Sequence, residues 1–266
     1  MCRVRLIGVP TDINSSFLRG PAKAPARIRA LLFSDMGNPA AENGGELGST
    51  IPFTDIGDLP LMEAPEDDAI ITAATAAACA AADVPLLLGG DHAISFAAVR
   101  GVAYHHGPVN ILHFDAHSDT YHDFAGNPRS HASPFARIME AGLATRLVQV
   151  GIRTLNTHQR EQAARFGIEI VSMRDFSPAN VPIPPAPLYV SIDLDGLDPA
   201  FAPGVSHHEP GGLSTRQLLD VLARIQGPIV GGDVVELNPD RDINDMTAMV
   251  AAKLIKELAA IAVRPG

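Results

Sequence analysis

Cysteine and tryptophan are scarce in this sequence of 266 residues, which has two cysteines and no tryptophan. A small secreted domain that depends on disulfide bonds needs far more cysteine than this. Cys2 stands at the start of the chain, and Cys79 lies in an alanine-rich run that predicts a buried helix. We therefore expect two unpaired structural thiols and a reducing compartment.

Basic charge is also in short supply. The chain has 20 Lys and Arg residues against 30 Asp and Glu residues, which gives a formal net charge of -10. A protein that binds nucleic acid usually carries a basic surplus or a basic stripe, and neither is present here. The sequence therefore predicts no nucleic-acid partner, whereas a cationic substrate is compatible with the acidic balance.

Long hydrophobic runs are missing as well. A strand-like run at 4–8 begins the chain without a long apolar segment before it, so no secretory signal is predicted. No stretch is both long enough and apolar enough to cross a membrane. From these features we expect a cytoplasmic protein that has no membrane partner.

What the sequence does have is apolar residues in short, regularly spaced runs. Hydrophobic residues make up 46% of the chain, which is enough for one sizeable core. Runs that are apolar on both sides and alternate with helix-length patterns are typical of a parallel sheet covered on both faces. We predict an α/β fold with a mainly parallel sheet of roughly eight strands, in a single domain over 1–266. The predicted strands are 4–9, 52–57, 85–90, 109–115, 147–151, 168–172, 188–193 and 229–236, and the predicted helices are 25–33, 66–82, 95–105, 134–141, 156–166, 214–225 and 246–262. Thr157 and Ser214 are the predicted N-terminal caps of the helices at 156–166 and 214–225.

Acidic and histidine side chains follow four of the predicted strands. In open parallel sheets, ligand sites form at the carboxyl ends of the strands, so these side chains are candidates for one common site. In an extended segment, residues two apart point to the same side, so Asp115, His117 and Asp119 are expected to converge. Asp193 and Asp195 repeat this spacing. The four strand ends read Gly-Gly-Asp-His at 89–92, Asp-Ala-His-Ser-Asp at 115–119, Asp-Leu-Asp at 193–195 and Glu at 236.

So many carboxylates in one place would repel one another unless cations neutralise them. Together with His92 and His117, the four aspartates exceed what one zinc ion takes and suit two metals that share carboxylate ligands. An isolated Asp-X-His or Asp-X-Asp is more often a turn or a helix cap. The combination at several strand ends favours a metal centre over that structural interpretation.

These motifs resemble those of the ureohydrolase family, which includes arginase and agmatinase, and the likeness is greatest to plant-type arginases. The resemblance runs from about residue 8 to the last helix. It implies a three-layer α/β/α sandwich and two Mn²⁺ ions per chain, a metal that suits oxygen ligands together with imidazole. One ion would be bound by His92 and Asp119 and the other by His117 and Asp195, with Asp115 and Asp193 bridging both. The family also suggests a homotrimer or a homohexamer.

The resemblance also implies a reaction, the hydrolysis of the guanidino group of L-arginine to L-ornithine and urea. A hydroxide bridging the two ions would attack the guanidinium carbon, with Asp119 holding it in line. His131 matches the family's catalytic histidine and would protonate the departing amine. Glu236, at the end of a buried strand, is expected to pair with the guanidinium.

The identity of the substrate stays open at this point. Asn127, Ser130, Ser133 and Asn156 are candidates to bind an α-amino acid head, but no Arg or Lys is obviously dedicated to its carboxylate. Agmatinase, or hydrolysis of another guanidino acid, is therefore the alternative. A binding protein that has lost catalysis is disfavoured because all six ligands are present, and a single-zinc deacetylase would not need a second set.

Four further histidines lie outside the proposed ligand sets. His113 lies inside a predicted strand and is expected to be a packed core residue. His122 follows the ligand motif and is assigned no role. His207 and His208 stand where many family members have Gly-Thr-Gly-Thr-Pro, and this departure is expected to reshape the pocket beside Glu236.

Overall fold

A computed structural model of the chain describes residues 3–264, so Cys2 and its predicted thiol lie outside the described residues. Eight strands form one parallel sheet in the order β2-β1-β3-β8-β7-β4-β5-β6. The strands are β1 (Arg3–Gly8), β2 (Phe53–Asp58), β3 (Asp83–Leu88), β4 (Val109–Phe114), β5 (Ala144–Ile152), β6 (Glu169–Ser172), β7 (Leu188–Asp193) and β8 (Gly231–Val235). The predicted parallel α/β sheet is confirmed.

Helices cover both faces of this sheet. They are α1 (Ala24–Leu32), α2 (Asp67–Ala80), α3 (Ile94–His106), α4 (Pro134–Glu140), α5 (Thr157–Phe166), α6 (Thr215–Ala223) and α7 (Met246–Ala262). Residues of α1, α6 and α7 share one hydrophobic cluster with one face of the strands, and residues of α2, α3 and α4 share a second cluster with the other face. Alternate strand residues serve the two clusters, as Ile111 and Leu112 do. This is the predicted three-layer sandwich, and it explains why the strands are apolar on both sides.

Two helix starts test the capping predictions. Ser214 caps α6, since its side chain accepts a hydrogen bond from the backbone N–H of Gln217, as predicted. The helix α5 starts differently from the prediction, because Asn156, not Thr157, is its cap and accepts from the backbone N–H of Gln159. The side chain of Asn156 is therefore already engaged in holding the helix.

Cys79 is buried in α2 and free, as predicted. Burial raises the pKa of its thiol to about 11, so the group is an unreactive part of the core. Over residues 3–264, no helix combines the length and the hydrophobicity that crossing a membrane requires.

Candidate metal centre and catalytic pocket

Four neighbouring strands place the candidate residues at one edge of the sheet. The strands β3, β8, β7 and β4 are adjacent in that order. His92 follows β3, Glu236 follows β8, Asp193 ends β7 and Asp115 follows β4. Because all four strands run in parallel, their carboxyl ends meet at the same edge, and residues up to 144 positions apart along the chain come into contact there.

The first group of possible ligands surrounds His92, which is fully buried. Its Nδ1 lies 3.1 Å from Asp119 Oδ2, 3.1 Å from Asp193 Oδ2 and 3.3 Å from Asp115 Oδ2. On the other side of the ring, Nε2 lies 2.9 Å from the hydroxyl of Ser191. The ring is thus fixed with one nitrogen directed at three carboxylates, and that nitrogen makes no hydrogen bond within the described chain.

The second group surrounds His117, which is partly exposed. Its Nδ1 lies 3.1 Å from Asp195 Oδ2 and 3.4 Å from Asp115 Oδ1. Asp115 belongs to both groups through its two oxygens, whereas Asp193 belongs to the first. Two ligand sets that share a carboxylate are the arrangement expected of a binuclear centre.

The electrostatics of these groups fit divalent cations. Burial and the neighbouring charges of Asp195 and Asp115 raise the pKa of Asp193 well above its ordinary value. Burial and the charge of Asp115 also raise the pKa of Asp195 to about 6, although His117 opposes this shift. Carboxylates held this close bind protons against their ordinary preference, so a cation that replaced those protons would be strongly attracted.

The local backbone differs from the prediction, although the side chains converge. The strand β4 ends at Phe114, and 115–119 is a bend in which Asp119 has a φ of 49°. After Asp193, residues Leu194–Gly196 form a single turn of 3₁₀ helix. The extended alternation that we expected at both motifs is therefore wrong. Tight turns place these side chains, and each is held by a carboxylate that accepts a backbone N–H two residues later.

His131 and Glu236 form a buried pair beside the metal ligands. His131 Nδ1 lies 2.8 Å from Glu236 Oε1, which also accepts the backbone N–H of His92 at 2.8 Å. Burial lowers the pKa of His131, but the charge of Glu236 and its hydrogen bond outweigh burial and raise that pKa to about 9. Burial raises the pKa of Glu236, yet His131 and the His92 N–H hold it below its ordinary value.

Ser16 contacts the other side of the His131 ring. Its backbone N–H donates to Nε2 at 3.1 Å, and its hydroxyl oxygen lies 2.8 Å from the same nitrogen. The neutral ring can therefore accept from the N–H, and the charged ring can donate to the hydroxyl. Since both protonation states have a partner, His131 is suited to gaining and losing a proton in place.

A cavity of about 230 Å³ lies against the candidate ligands and the His131–Glu236 pair. It is lined by Ser16, His117, Asp119, Tyr121, Phe124, His131, Ala132, Thr154, Asn156, Gln159, Asp193, Asp195, His207 and Glu236. His207 reaches the pocket beside Glu236, as predicted from the departure at that position, and its ring centroid lies 5.3 Å from that of His131. His208, next to it, is outside the lining and bonds to the carbonyl of Pro203.

Only one of the four residues predicted to bind an α-amino acid head lines this cavity. Asn156 lines the cavity and donates to the hydroxyl of Tyr121 at 2.6 Å. Asn127 instead lines a separate cavity of about 310 Å³ and donates to the side chain of Asn14. Ser130 and Ser133 are buried and line neither cavity. The structure therefore does not bring these three to the cavity at the candidate ligands, because Ser130 and Ser133 are buried and Asn127 faces the second cavity.

Sequence reasoning did not single out several residues that shape the pocket. Tyr121 forms one wall, with its ring stacked on His158 at 5.6 Å between centroids. Thr154 and Gln159 add neutral polar atoms at the rim. Their nearness to the ligands in space has no counterpart in the local pattern, although Tyr121 follows Asp119 by only two residues.

Arg153 directly follows β5. Its guanidinium donates to the carbonyls of Asp195 and Glu209 at 2.6 and 2.5 Å, and to those of Gly151, Gly196 and Leu197 at 3.1 to 3.2 Å. It therefore fastens the turn that carries Asp195 to the end of β5.

Comparison with known proteins agrees with this geometry. The chain is 51% identical to "Arginase 1, mitochondrial" from Arabidopsis thaliana over 96% of its own length and 80% of that protein. It is 50% identical to "Arginase 1, mitochondrial" from Oryza sativa subsp. indica, with the same coverage.

The names of these relatives overturn one expectation. Both are mitochondrial arginases, so the prediction of a cytoplasmic location is wrong. That prediction was drawn from composition and from missing features. Location is read by import receptors from targeting segments, and the composition of a folded catalytic domain does not encode it.

Solved structures and the family model lead to the same assignment. The arginase of Medicago truncatula superposes with a TM-score of 0.92 at 47% identity, covering 98% of this chain and 87% of that one. The sequence model described as "Arginase family" matches residues 2–260, almost the whole chain. With eight parallel strands and clustered His and Asp ligands at their carboxyl ends, the chain belongs to the arginase family.

Proposed function

We propose that the protein hydrolyses the guanidino group of L-arginine to L-ornithine and urea at a pair of Mn²⁺ ions. The observation that carries this proposal is the pair of ligand groups that share Asp115 at the floor of a pocket, with the His131–Glu236 pair beside them. Arginases that are 50% and 51% identical to this chain over 272 aligned residues support arginine as the substrate. We propose that the chain acts as a single domain.

The two groups support most of the proposed ligand sets. His92 and Asp119 would hold one ion, and His117 and Asp195 the other, while Asp115, which belongs to both groups, would serve both ions. Asp193 lies with the first group, and its contact with the second ion is proposed from the family resemblance. Four carboxylates and two imidazoles suit Mn²⁺, although zinc competes for such a site because it binds nitrogen and oxygen ligands more tightly. When bound, a pair of divalent cations would lower the pKa of water at this site, so that hydroxide would be available near neutral pH.

The protein's own groups then guide the reaction. Asp119, which is 7% exposed and lines the cavity, would accept a hydrogen bond from the attacking nucleophile and keep it in line with the guanidinium carbon. His131 lines the same cavity and carries the proton that the departing amine requires. After its proton has left, the neutral ring is still held between Glu236 and Ser16.

Glu236 is the proposed anchor for the guanidinium. Its side chain makes two hydrogen bonds with other described residues, and both use Oε1, which leaves Oε2 for the substrate. A charge-assisted bond in a site shielded from water is stronger than a neutral one, so this oxygen would orient the substrate over the ligand groups. The rest of the pocket would receive the amino-acid head through neutral groups, because no Arg or Lys is among the described residues that line it.

The experiment that tests the substrate is a parallel assay of urea release from L-arginine, agmatine and 3-guanidinopropionate with the Mn²⁺-loaded protein. We expect arginine to give the highest kcat/KM. A preference for agmatine would overturn the proposed substrate in favour of agmatinase, whose substrate has no carboxylate. As a control, Asp193→Ala from the same purification should release no urea above background, which rules out a contaminating ureohydrolase.

We also propose a homotrimer or a homohexamer. Several large apolar side chains are exposed on the isolated chain, and they include Phe17, Met36, Met62 and Ile243. Exposed apolar groups of this kind favour association when they form a continuous surface. Light scattering coupled to size exclusion should give three or six times the chain mass of 28.0 kDa, and a monomer would contradict the proposal.

A further inference from the structure

His113 on β4 contacts the metal centre from behind. The sequence predicts a packed core residue, and the ring is indeed fully buried, with its centroid 3.9 Å from that of Phe135. Its Nε2, however, lies 2.8 Å from Oδ2 of Asp115, the carboxylate common to both ligand groups. A buried histidine in this position is either a further metal ligand or a hydrogen-bond donor to a ligand, and which nitrogen carries the proton decides between the two.

Gln149 on the neighbouring strand β5 fixes the position of that proton. It pairs with His113 in the sheet, and its side-chain amide is fully buried. The amide nitrogen donates to the backbone carbonyl of Ser118 at 2.6 Å, and the amide oxygen accepts from the Ser118 hydroxyl at 2.7 Å. The reversed amide would set two oxygens against each other at the Ser118 carbonyl, so only one orientation satisfies both bonds.

The amide nitrogen of Gln149 has a second hydrogen, and it points at His113 Nδ1 at 3.1 Å. An amide N–H can only donate, so Nδ1 must accept and carries no proton. The ring proton of neutral His113 is therefore on Nε2, where it is donated to Asp115 Oδ2. A nitrogen that carries this proton has no lone pair for a metal, which excludes His113 as a ligand in this arrangement.

We propose that His113 is a positioning residue of the metal centre, which holds the shared carboxylate of Asp115 by a hydrogen bond whose direction is set by Gln149 and Ser118. Partners of this kind orient ligands, and losing one typically weakens metal binding by about 10–100-fold. The hydrogen bonds from Asp115 through His113 and Gln149 to Ser118 link the two ends of the 115–119 bend, because Ser118 is next to Asp119. This inference rests on the proposed role of Asp115 as a metal ligand.

Two substitutions distinguish the hydrogen bond that His113 donates from the packing of its ring. His113→Phe keeps a ring against Phe135 but cannot donate, whereas His113→Gln places an amide N–H near the former Nε2. We expect His113→Phe to raise the Kd for Mn²⁺ by about 10–100-fold and His113→Gln to restore most of the affinity. The measurement starts from Mn²⁺-loaded protein, equilibrates it with chelator-buffered Mn²⁺, and counts the retained metal by mass spectrometry. Thr75→Val, which removes a buried hydroxyl from α2, controls for loss of a buried hydrogen bond elsewhere and should leave the Kd unchanged.

The outcomes distinguish this inference from the proposed function. If the wild-type protein retains no Mn²⁺, the proposed metal centre itself fails. If the wild type binds two ions and His113→Phe binds them equally tightly, the positioning role alone is overturned. Equal loss of affinity in the Phe and Gln variants would also overturn it, since the imidazole would then act as a metal ligand and not as a hydrogen-bond donor.

Discussion

Replacing Glu236 by Gln is the sharpest test of the catalytic pair, because it changes one charge and almost no volume. Glu236 is 4% exposed, and its Oε1 accepts hydrogen bonds from His131 and from the backbone of His92. A glutamine amide oxygen can accept both of these bonds. What disappears is the negative charge that favours the protonated form of His131 and that would face the substrate guanidinium.

The size of the effect follows from the pKa of His131. Burial opposes its protonation, and the charge of Glu236 is the main cause that raises the pKa to about 9 from the ordinary 6.5. Without that charge the pKa should fall from about 9 towards the ordinary 6.5, a difference of up to about 2.5 pH units, or on the order of 3 kcal/mol. In the wild type, the proton is present below about pH 9 and lost as the pH rises through that value. In the variant, it should already be lost near neutral pH.

The assay is the pH profile of kcat/KM for arginine at saturating Mn²⁺, which reports groups of the free enzyme. We expect the alkaline decline to move from near pH 9 towards neutral pH. We also expect a lower kcat/KM at pH values below this decline, because the guanidinium loses a charged partner. The decrease should correspond to a loss of about 2–4 kcal/mol of transition-state stabilisation. Glu140→Gln makes the same chemical change on α4, outside the pocket lining, and should leave the profile unchanged. An unshifted alkaline decline in Glu236→Gln would refute the coupling of the two residues.

Three further predictions concern the metals, the proton donor and the backbone. Asp193→Ala should lose at least one metal per chain after gentle dialysis, as measured by mass spectrometry, and a fully active preparation with one metal would contradict the binuclear centre. His131→Asn should lower kcat by about 10²–10⁴-fold while the metal content stays at that of the wild type, and near-normal turnover would remove His131 from its assigned role. In Gly90→Ala the added Cβ would lie 1.8 Å from the carbonyl oxygen of Thr11, so we expect urea denaturation to show a loss of about 1–3 kcal/mol in the free energy of unfolding. Gly227→Ala meets nothing within 4 Å and should be nearly neutral, so equal stabilities of the two variants would show that the close approach at Gly90 is unimportant.

Local patterns in the sequence were sufficient to predict the elements and to single out the candidate ligands. Strands buried on both faces are recognisable because each needs a continuous apolar run, and the cap at Ser214 is recognisable because Gln217 stands at the reciprocal position. His92, Asp115, His117, Asp119, Asp193 and Asp195 were predicted from their positions after strands, and the structure brings them together. The chemistry of the ligands is a property of residue types, which the sequence states directly.

Only the tertiary structure decides which strands are neighbours and how the turns bend. The strand β8 is the last strand along the chain, yet it lies between β3 and β7 in the sheet. This position places Glu236 between His92 and the Asp193 motif. No local pattern specifies that insertion, because strands that are equally apolar can pair in many orders and the packing of the whole domain selects one. The placement of Asn127 in the second cavity and the contact of His113 with Asp115 depend in the same way on distant partners, Asn14 and Gln149. Hydrogen bonds between residues far apart in sequence have no periodicity, so only the folded chain reveals them.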